Sequence, residues 1–185
     1  ITLRHVGVNP TRIGVINILR QMGAKISLTN EIEVGGEPVA DIRVQYAKLV
    51  GIEIPESQVP LAIDEFPAIF IAAACAQGET ILTGAKELRV KESDRIQSMA
   101  DGLNTLGIDA MATADGIRIV GGEIGSGRVL SHHDHRIAMA FAIAGLRAQG
   151  EIIVEDCSNV ATSFPDFIVC AASVGLVINT ETVND

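Results

Sequence analysis

An α/β domain assembled from three like units is the fold class this sequence predicts, and three observations predict it. Apolar residues at helical spacing alternate with short alternating runs of strand type along the whole chain. The helical stretches stop in two ways that take turns. Two Ala-rich stretches end in Gly78-Glu79-Thr80-Ile81 and Gly150-Glu151-Ile152-Ile153, and three others end in Met22-Gly23, Leu106-Gly107 and Val174-Gly175. Finally, the chain is 48% hydrophobic but only 3% aromatic, with 18 glycines, a composition suited to helices packed tightly in a common core with short-stranded sheets outside.

Taken in order, Ile1 to Val6 reads as a strand, and Asn9-Pro10-Thr11-Arg12 opens a helix that runs to Met22-Gly23. Gly there suits a left-handed cap. Lys25 to Asn30 and Ala40 to Gln45 are strands around a Gly35-Gly36 turn, and Pro55 and Pro60 mark a loop. Asp64-Glu65-Phe66-Pro67 starts an Ala-rich helix through Cys75, followed by a strand from Glu79 to Thr83. The stretch Arg89-Val90-Lys91-Glu92-Ser93-Asp94-Arg95 opens a helix whose stripe is Ile96, Met99, Ala100, Leu103 and Leu106. Ser93 or Asp94 fits its N-cap.

Strands follow at 108–112 and 116–120, then a flexible loop from Gly121 to Gly127. His132 to Arg136 opens the second Ala-rich helix, which should end near Gly150, and 152–155 is a strand. Ser163-Phe164-Pro165-Asp166 starts the last helix, with Ser163 as its cap and a strand from Leu176 to Asn179 behind it. Superposing the repeats gives the strand at Ile1 the part played by Glu79 to Thr83. Its own Ala-rich helix would then lie upstream, so the sequence reads as cut from a longer polypeptide within the first of three units.

The net charge of −9 disfavours non-specific binding to nucleic acid or acidic membranes, so an anionic ligand must be gripped by a local cation cluster. No apolar run is long enough to span a membrane; Ile137 to Leu146 is about the longest. Cys75, Cys157 and Cys170 form no C-x-x-C pair, and Cys75 and Cys170 fall on apolar helix patterns as reduced core thiols, the usage of a cytoplasmic protein. His132, His133 and His135 lack the further ligands a zinc site needs. No metal or cofactor is expected.

The chemistry concentrates at helix openings: Arg12, Asp64, Lys91 to Arg95, His135-Arg136 and Ser163. A helix N-terminus already attracts anions, so Lys and Arg placed there cost stability unless they hold one. If the units are equivalent, these openings share one pole. Arg95 and Arg136 could then grip a phosphate or carboxylate with their planar forks. Asp64 and Glu92 would supply two carboxylates for proton transfer in opposite directions. Asp64 fits a plain helix cap equally well, and His135 fits an orienting role.

Leu88-Arg89-Val90-Lys91-Glu92-Ser93-Asp94-Arg95 closely resembles the signature of the 5-enolpyruvylshikimate-3-phosphate synthase family, as do Asp134-His135-Arg136-Ile137-Ala138-Met139, Ser163-Phe164-Pro165-Asp166 and the interval from Asp64 to Glu92. The resemblance covers essentially the whole chain. It implies one enolpyruvyl-transferase lobe, residues 1–185, of three βαβαββ units, with the N-terminal lobe and the helix before Ile1 absent. The implied reaction moves the enolpyruvyl group of phosphoenolpyruvate to the 5-hydroxyl of shikimate 3-phosphate and releases phosphate, a step toward aromatic amino acids.

Carried over by residue, Asp64 is the base and, with Lys91, holds shikimate 3-phosphate. Glu92 is the acid, and Arg95 and Arg136 clamp phosphoenolpyruvate. Two departures stand out: Thr162 replaces a lysine common in the family, and Glu87 replaces an asparagine, a combination similar to the glyphosate-tolerant class. The alternatives are the lobe of a UDP-N-acetylglucosamine enolpyruvyl transferase, against which Lys91 to Arg95 argues, and a non-catalytic anion-binding module.

Overall fold

The structure, a computed structural model, describes residues 1–181. Strand β1 (Thr2–Gly7) is followed by helix α1 (Gly14–Gln21) and a hairpin of β2 (Lys25–Val34) and β3 (Glu37–Gln45). Helix α2 (Phe66–Ala74), strand β4 (Glu79–Leu82), helix α3 (Arg95–Thr105) and the pair β5 (Asp109–Ala112) and β6 (Ile117–Val120) come next. The last third holds β7 (Gly127–Leu130), α4 (His135–Ala144), β8 (Ile152–Glu155), α5 (Asn159–Ser163) and α6 (Phe167–Ser173).

The repeat is visible in the strand order. One sheet runs β1-β3-β2 and the next β4-β6-β5, both antiparallel, so β1, β2 and β3 correspond to β4, β5 and β6. β7 lies parallel to β8, and the segment at Val50 and Glu53 makes parallel bridges to Gln77 and Ile81 beside β4. Each of these parallel pairs brackets an Ala-rich helix, α4 in one case and α2 in the other. The glycines after α1, α3 and α6 all take the left-handed conformation, Gly23 at +95°, Gly107 at +83° and Gly175 at +96°, which a side chain would resist.

The helices share one core. α2 buries Phe66, Ile69, Phe70 and Ile71 against Ile96, Met99 and Leu103 of α3 and Ile137 and Phe141 of α4, with Ile117 and Ile119 of β6 beneath. A smaller cluster of Val8, Ile16, Ala40 and Ile42 seats α1 on the first sheet. No helix among the described residues is long and apolar enough to cross a membrane.

Several local expectations need correction. α1 starts at Gly14, because Asn9 uses its side chain to close a turn onto the backbone and hydroxyl of Thr11. The loop after β6 ends at Ser126, and β7 follows as a strand the sequence reading lacks. α4 stops at Gly145, well short of Gly150. Ser163 caps nothing; it is the last residue of α5, and Asp166 stands at the N-terminus of α6 without a capping hydrogen bond. Residues 176–179 form no strand, since the Leu176 amide turns back to the Ala171 carbonyl to close α6. Cys170 is exposed, as is Cys157, while Cys75 is half-buried.

Candidate active site

The charged septet does not itself form the first turn of α3. Lys86–Val90 is a 3-10 turn, the chain then bends, and α3 begins at Arg95. Arg89 straps this bend down, donating to the Ala114 carbonyl at 3.1 Å, to the Thr113 carbonyl and to Asp94 at 2.5 Å. Asp94 is the cap, accepting from the Gln97 amide at 3.0 Å. Ser93 instead donates to Asp134 at 3.1 Å. Neither α3 nor α4 carries an acid in its first turn; α3 opens on Arg95 and α4 on His135 and Arg136, each with an aspartate at the N-cap.

Asp64 lies just before α2. The N-cap there is Glu65, with no side-chain capping bond, so the carboxylate of Asp64 is free for other work. Four cationic groups surround it at similar range: Arg95 at 3.5 Å, Arg12 at 3.6 Å, Lys91 at 3.8 Å and Arg136 at 3.9 Å. Arg136 also donates to the Asp64 carbonyl at 3.0 Å. Side chains from the openings of α1, α3 and α4 thus meet around one carboxylate at the opening of α2. Below them, a groove between α2 and α4 is floored by Pro67, Ile71, Met139 and Ile143.

Arg95 is the hub, with its side chain only 1% exposed. Its Nη2 donates to Glu92 at 2.5 Å, in the bend three residues before it. Glu92 is 52% exposed and looks into an open groove lined by Asp94, Gln97, Asp101 and His132. Lys91 is paired with Glu87, the residue that stands where asparagine is usual in the family the sequence resembles. Arg12 and Arg136 share Glu65, at 3.3 and 3.9 Å. Every cation of the pole therefore has an acid beside it, and an incoming anion must compete with one.

His135 opens α4 half-buried, and its ring has no hydrogen-bond partner among the described residues. Ser163 and Thr162 sit on α5, which is tied to the turn before α4 by the bond from Asn159 to the His133 carbonyl. Among the described residues no group of three or more His, Cys, Asp and Glu side chains could hold a metal ion.

Sequence reasoning missed Asp134. It is fully buried, and its carboxylate takes part in five contacts. Oδ1 accepts from the amides of Arg136 at 2.9 Å and Ile137 at 3.4 Å and faces Arg95 Nη2 at 3.5 Å. Oδ2 accepts from Arg95 Nε at 2.8 Å and from Ser93. Burial by itself would raise this carboxyl. The hydrogen bond and charge of Arg95, helped by Arg136 and Ser93, overcome that and hold it below the usual carboxylate range. The available signal was an aspartate directly before a helix that opens on cations, which reads as a cap and conceals the second partner.

Comparison with known proteins gives a consistent answer. The family model described as EPSP synthase (3-phosphoshikimate 1-carboxyvinyltransferase) matches residues 1–169. A 3-phosphoshikimate 1-carboxyvinyltransferase of Methylococcus capsulatus is 67% identical over 176 residues, 95% of this chain and 40% of that protein. One from Nitrosococcus oceani is 66% identical over 96% of this chain and again 40% of its own length. A solved structure of EPSP synthase from Acinetobacter baumannii superposes with a TM-score of 0.94 at 58% identity, over 96% of this chain and 42% of that one. The enolpyruvyl transferase NikO from Streptomyces tendae, at 18% identity and a TM-score of 0.63, shares the fold. The chain spans about two fifths of the length of these relatives.

Proposed function

The chain belongs to the EPSP synthase family, and we propose that it is one lobe of an enzyme that transfers the enolpyruvyl group of phosphoenolpyruvate to the 5-hydroxyl of shikimate 3-phosphate. The other lobe of the same polypeptide would close over the pole described above, and the enzyme would work in the cytoplasm. The observation that carries the reading is the convergence of Lys91, Arg95 and Arg136, from the openings of α3 and α4, on the carboxylate of Asp64 before α2, with Glu92 paired to Arg95.

The chemistry needs two opposed proton transfers. The methylene carbon of phosphoenolpyruvate gains a proton while the 5-hydroxyl loses one and adds to the adjacent carbon, giving a tetrahedral intermediate. Loss of a proton from the new methyl group then expels phosphate and restores the alkene. Glu92 is the acid in the first step and takes the proton back in the second; Asp64 receives the hydroxyl proton. The ring of cations around Asp64 holds its carboxylate in place to receive that proton.

Glu92 starts out paired with Arg95. A substrate carboxylate that takes Arg95 Nη2 displaces Glu92 from its cation and releases its carboxyl toward the substrate. Lys91 holds shikimate 3-phosphate, and the fixed charges of Arg95 and Arg136 stabilise the intermediate without reorganising.

Phosphate release by the intact two-lobe protein tests this, with shikimate 3-phosphate and UDP-N-acetylglucosamine offered in turn. Turnover is expected with the first acceptor alone. Glu92→Gln and Asp64→Asn should each lower kcat by about 10²-fold or more; near-normal rates in both would remove these roles. The 185-residue chain alone, with one wall of the cleft, should release no phosphate.

A further inference from the structure

We propose that Asp134 is a positioning residue that sets both arginines of the proposed phosphoenolpyruvate site, Arg95 through its side chain and Arg136 through its backbone; the proposal rests on the transferase reading above. A helix cap alone does not call for this residue in this place. Serine, threonine or asparagine caps a helix about as well, and capping uses a single oxygen. Asp134 caps α4 through Oδ1 and keeps Oδ2 for Arg95 Nε and Ser93. A carboxylate with no exposure is costly unless well paired. Here the pairing fixes the edge of the guanidinium formed by Nε and Nη2, so that Nη1 points to Asp64.

The turn that delivers Asp134 is held under strain. His132 and His133 are both left-handed, with φ of +53° and +57°, a conformation that side chains resist. Three anchors hold the turn in place. The buried Ser131 hydroxyl donates to the Asp156 carbonyl at 2.9 Å, its amide donates to the Glu155 carbonyl at 3.2 Å, and Asn159 donates to the His133 carbonyl at 2.5 Å. The Asp134 amide closes the turn onto Ser131 at 2.9 Å. The end of β8 and the start of α5 thus fix where one carboxylate sits. That carboxylate in turn fixes a side chain 39 positions earlier in the chain.

Two substitutions in the intact protein separate the roles. Asp134→Asn retains a cap oxygen but offers Arg95 an N–H or an uncharged oxygen. Asp134→Ser retains a cap and touches Arg95 not at all. Affinity for phosphoenolpyruvate, measured with shikimate 3-phosphate present, should fall about tenfold or more in both. Affinity for shikimate 3-phosphate alone should fall several-fold less, because Asp134 reaches Asp64 only through Arg95 and does not touch Lys91.

With arginine labelled at Nε, the Arg95 Nε–H signal should be slow to exchange in the parent protein and lose that protection in both variants. Unchanged phosphoenolpyruvate affinity in the variants would overturn the proposal, as would parallel loss of both ligands in step with lost stability. If the parent protein bound no phosphoenolpyruvate, the transferase reading would fall by itself. An unchanged Arg95 Nε–H signal in Asp134→Asn would then sink the positioning role independently.

Discussion

Asp134 is one of the side chains that set the acid limit of this protein. Its carboxyl sits below its ordinary value of 3.8, so the stability it contributes is fully present above that value. That contribution is lost as pH falls through the lower, folded-state value, where the native state must at last take up a proton beside Arg95. Asp41 is depressed too, by its hydrogen bonds from the Asn30 amide group and the His5 amide, and so adds to the same trend. Unfolding midpoints in urea, followed from pH 6 downward, should therefore drop once pH passes below 3.8, and drop less steeply for Asp134→Asn. Equal slopes in the two proteins would remove Asp134 from the account. Cys75 shows the opposite shift. Burial raises its thiol, against the weaker pull of Arg147, whereas Cys157 and Cys170 stand exposed. A thiol reagent at pH 8 should modify two cysteines quickly and Cys75 slowly; three equal rates would contradict the packing of α2.

The elements of the core meet at distances that leave no slack, and the crossing of α3 and α4 is the sharpest case. A Cβ built on Gly102 would lie 2.2 Å from the Cζ of Phe141. Gly102→Ala should therefore gain helix propensity and still destabilise the fold by about 1–3 kcal/mol, because the Phe141 ring must move. Phe141→Leu made together with it should restore part of the loss, and denaturant midpoints of the four proteins would measure the coupling; additive effects would show that the helices do not cross there. Helices such as α2 and α3 are legible in the sequence because their apolar stripes are local. β7 is not, because Gly127-Arg128-Val129-Leu130 becomes a strand only by pairing in parallel with β8, and no short window contains that partner. The same physics works in reverse at 176–179, which has strand character and no neighbouring edge. The site divides likewise: cations at helix openings announce Lys91, Arg95 and Arg136, while Asp134 carries the sequence mark of a cap and only the fold adds Arg95 to it.

Across the whole molecule, the three units repeat one plan but do not bury it equally. α2 buries seven of its nine residues and α3 seven of its eleven, whereas α6 buries Ala171 alone and α5 none. Ile168, Val169 and Val174 around α6 are all exposed. The free energy of local opening follows buried apolar area, so the stability of this chain is graded along its length. Amide hydrogen exchange should read that gradient directly. Peptides covering α5 and α6 should exchange first, those covering α4 later, and those covering α2 and α3 only near the global unfolding limit. The site straddles the gradient, since Arg95 belongs to the slow part while Asp134 is steadied by Asn159 of α5 through His133. Opening of α5 should then loosen the turn at 131–134 before it disturbs α3, so the amides of His133 and Asp134 should exchange with α5 and not with Arg95. Protection of α6 equal to that of α3, or exchange of Asp134 in step with the core, would show that the three units fold as one block and that the turn needs no support from α5.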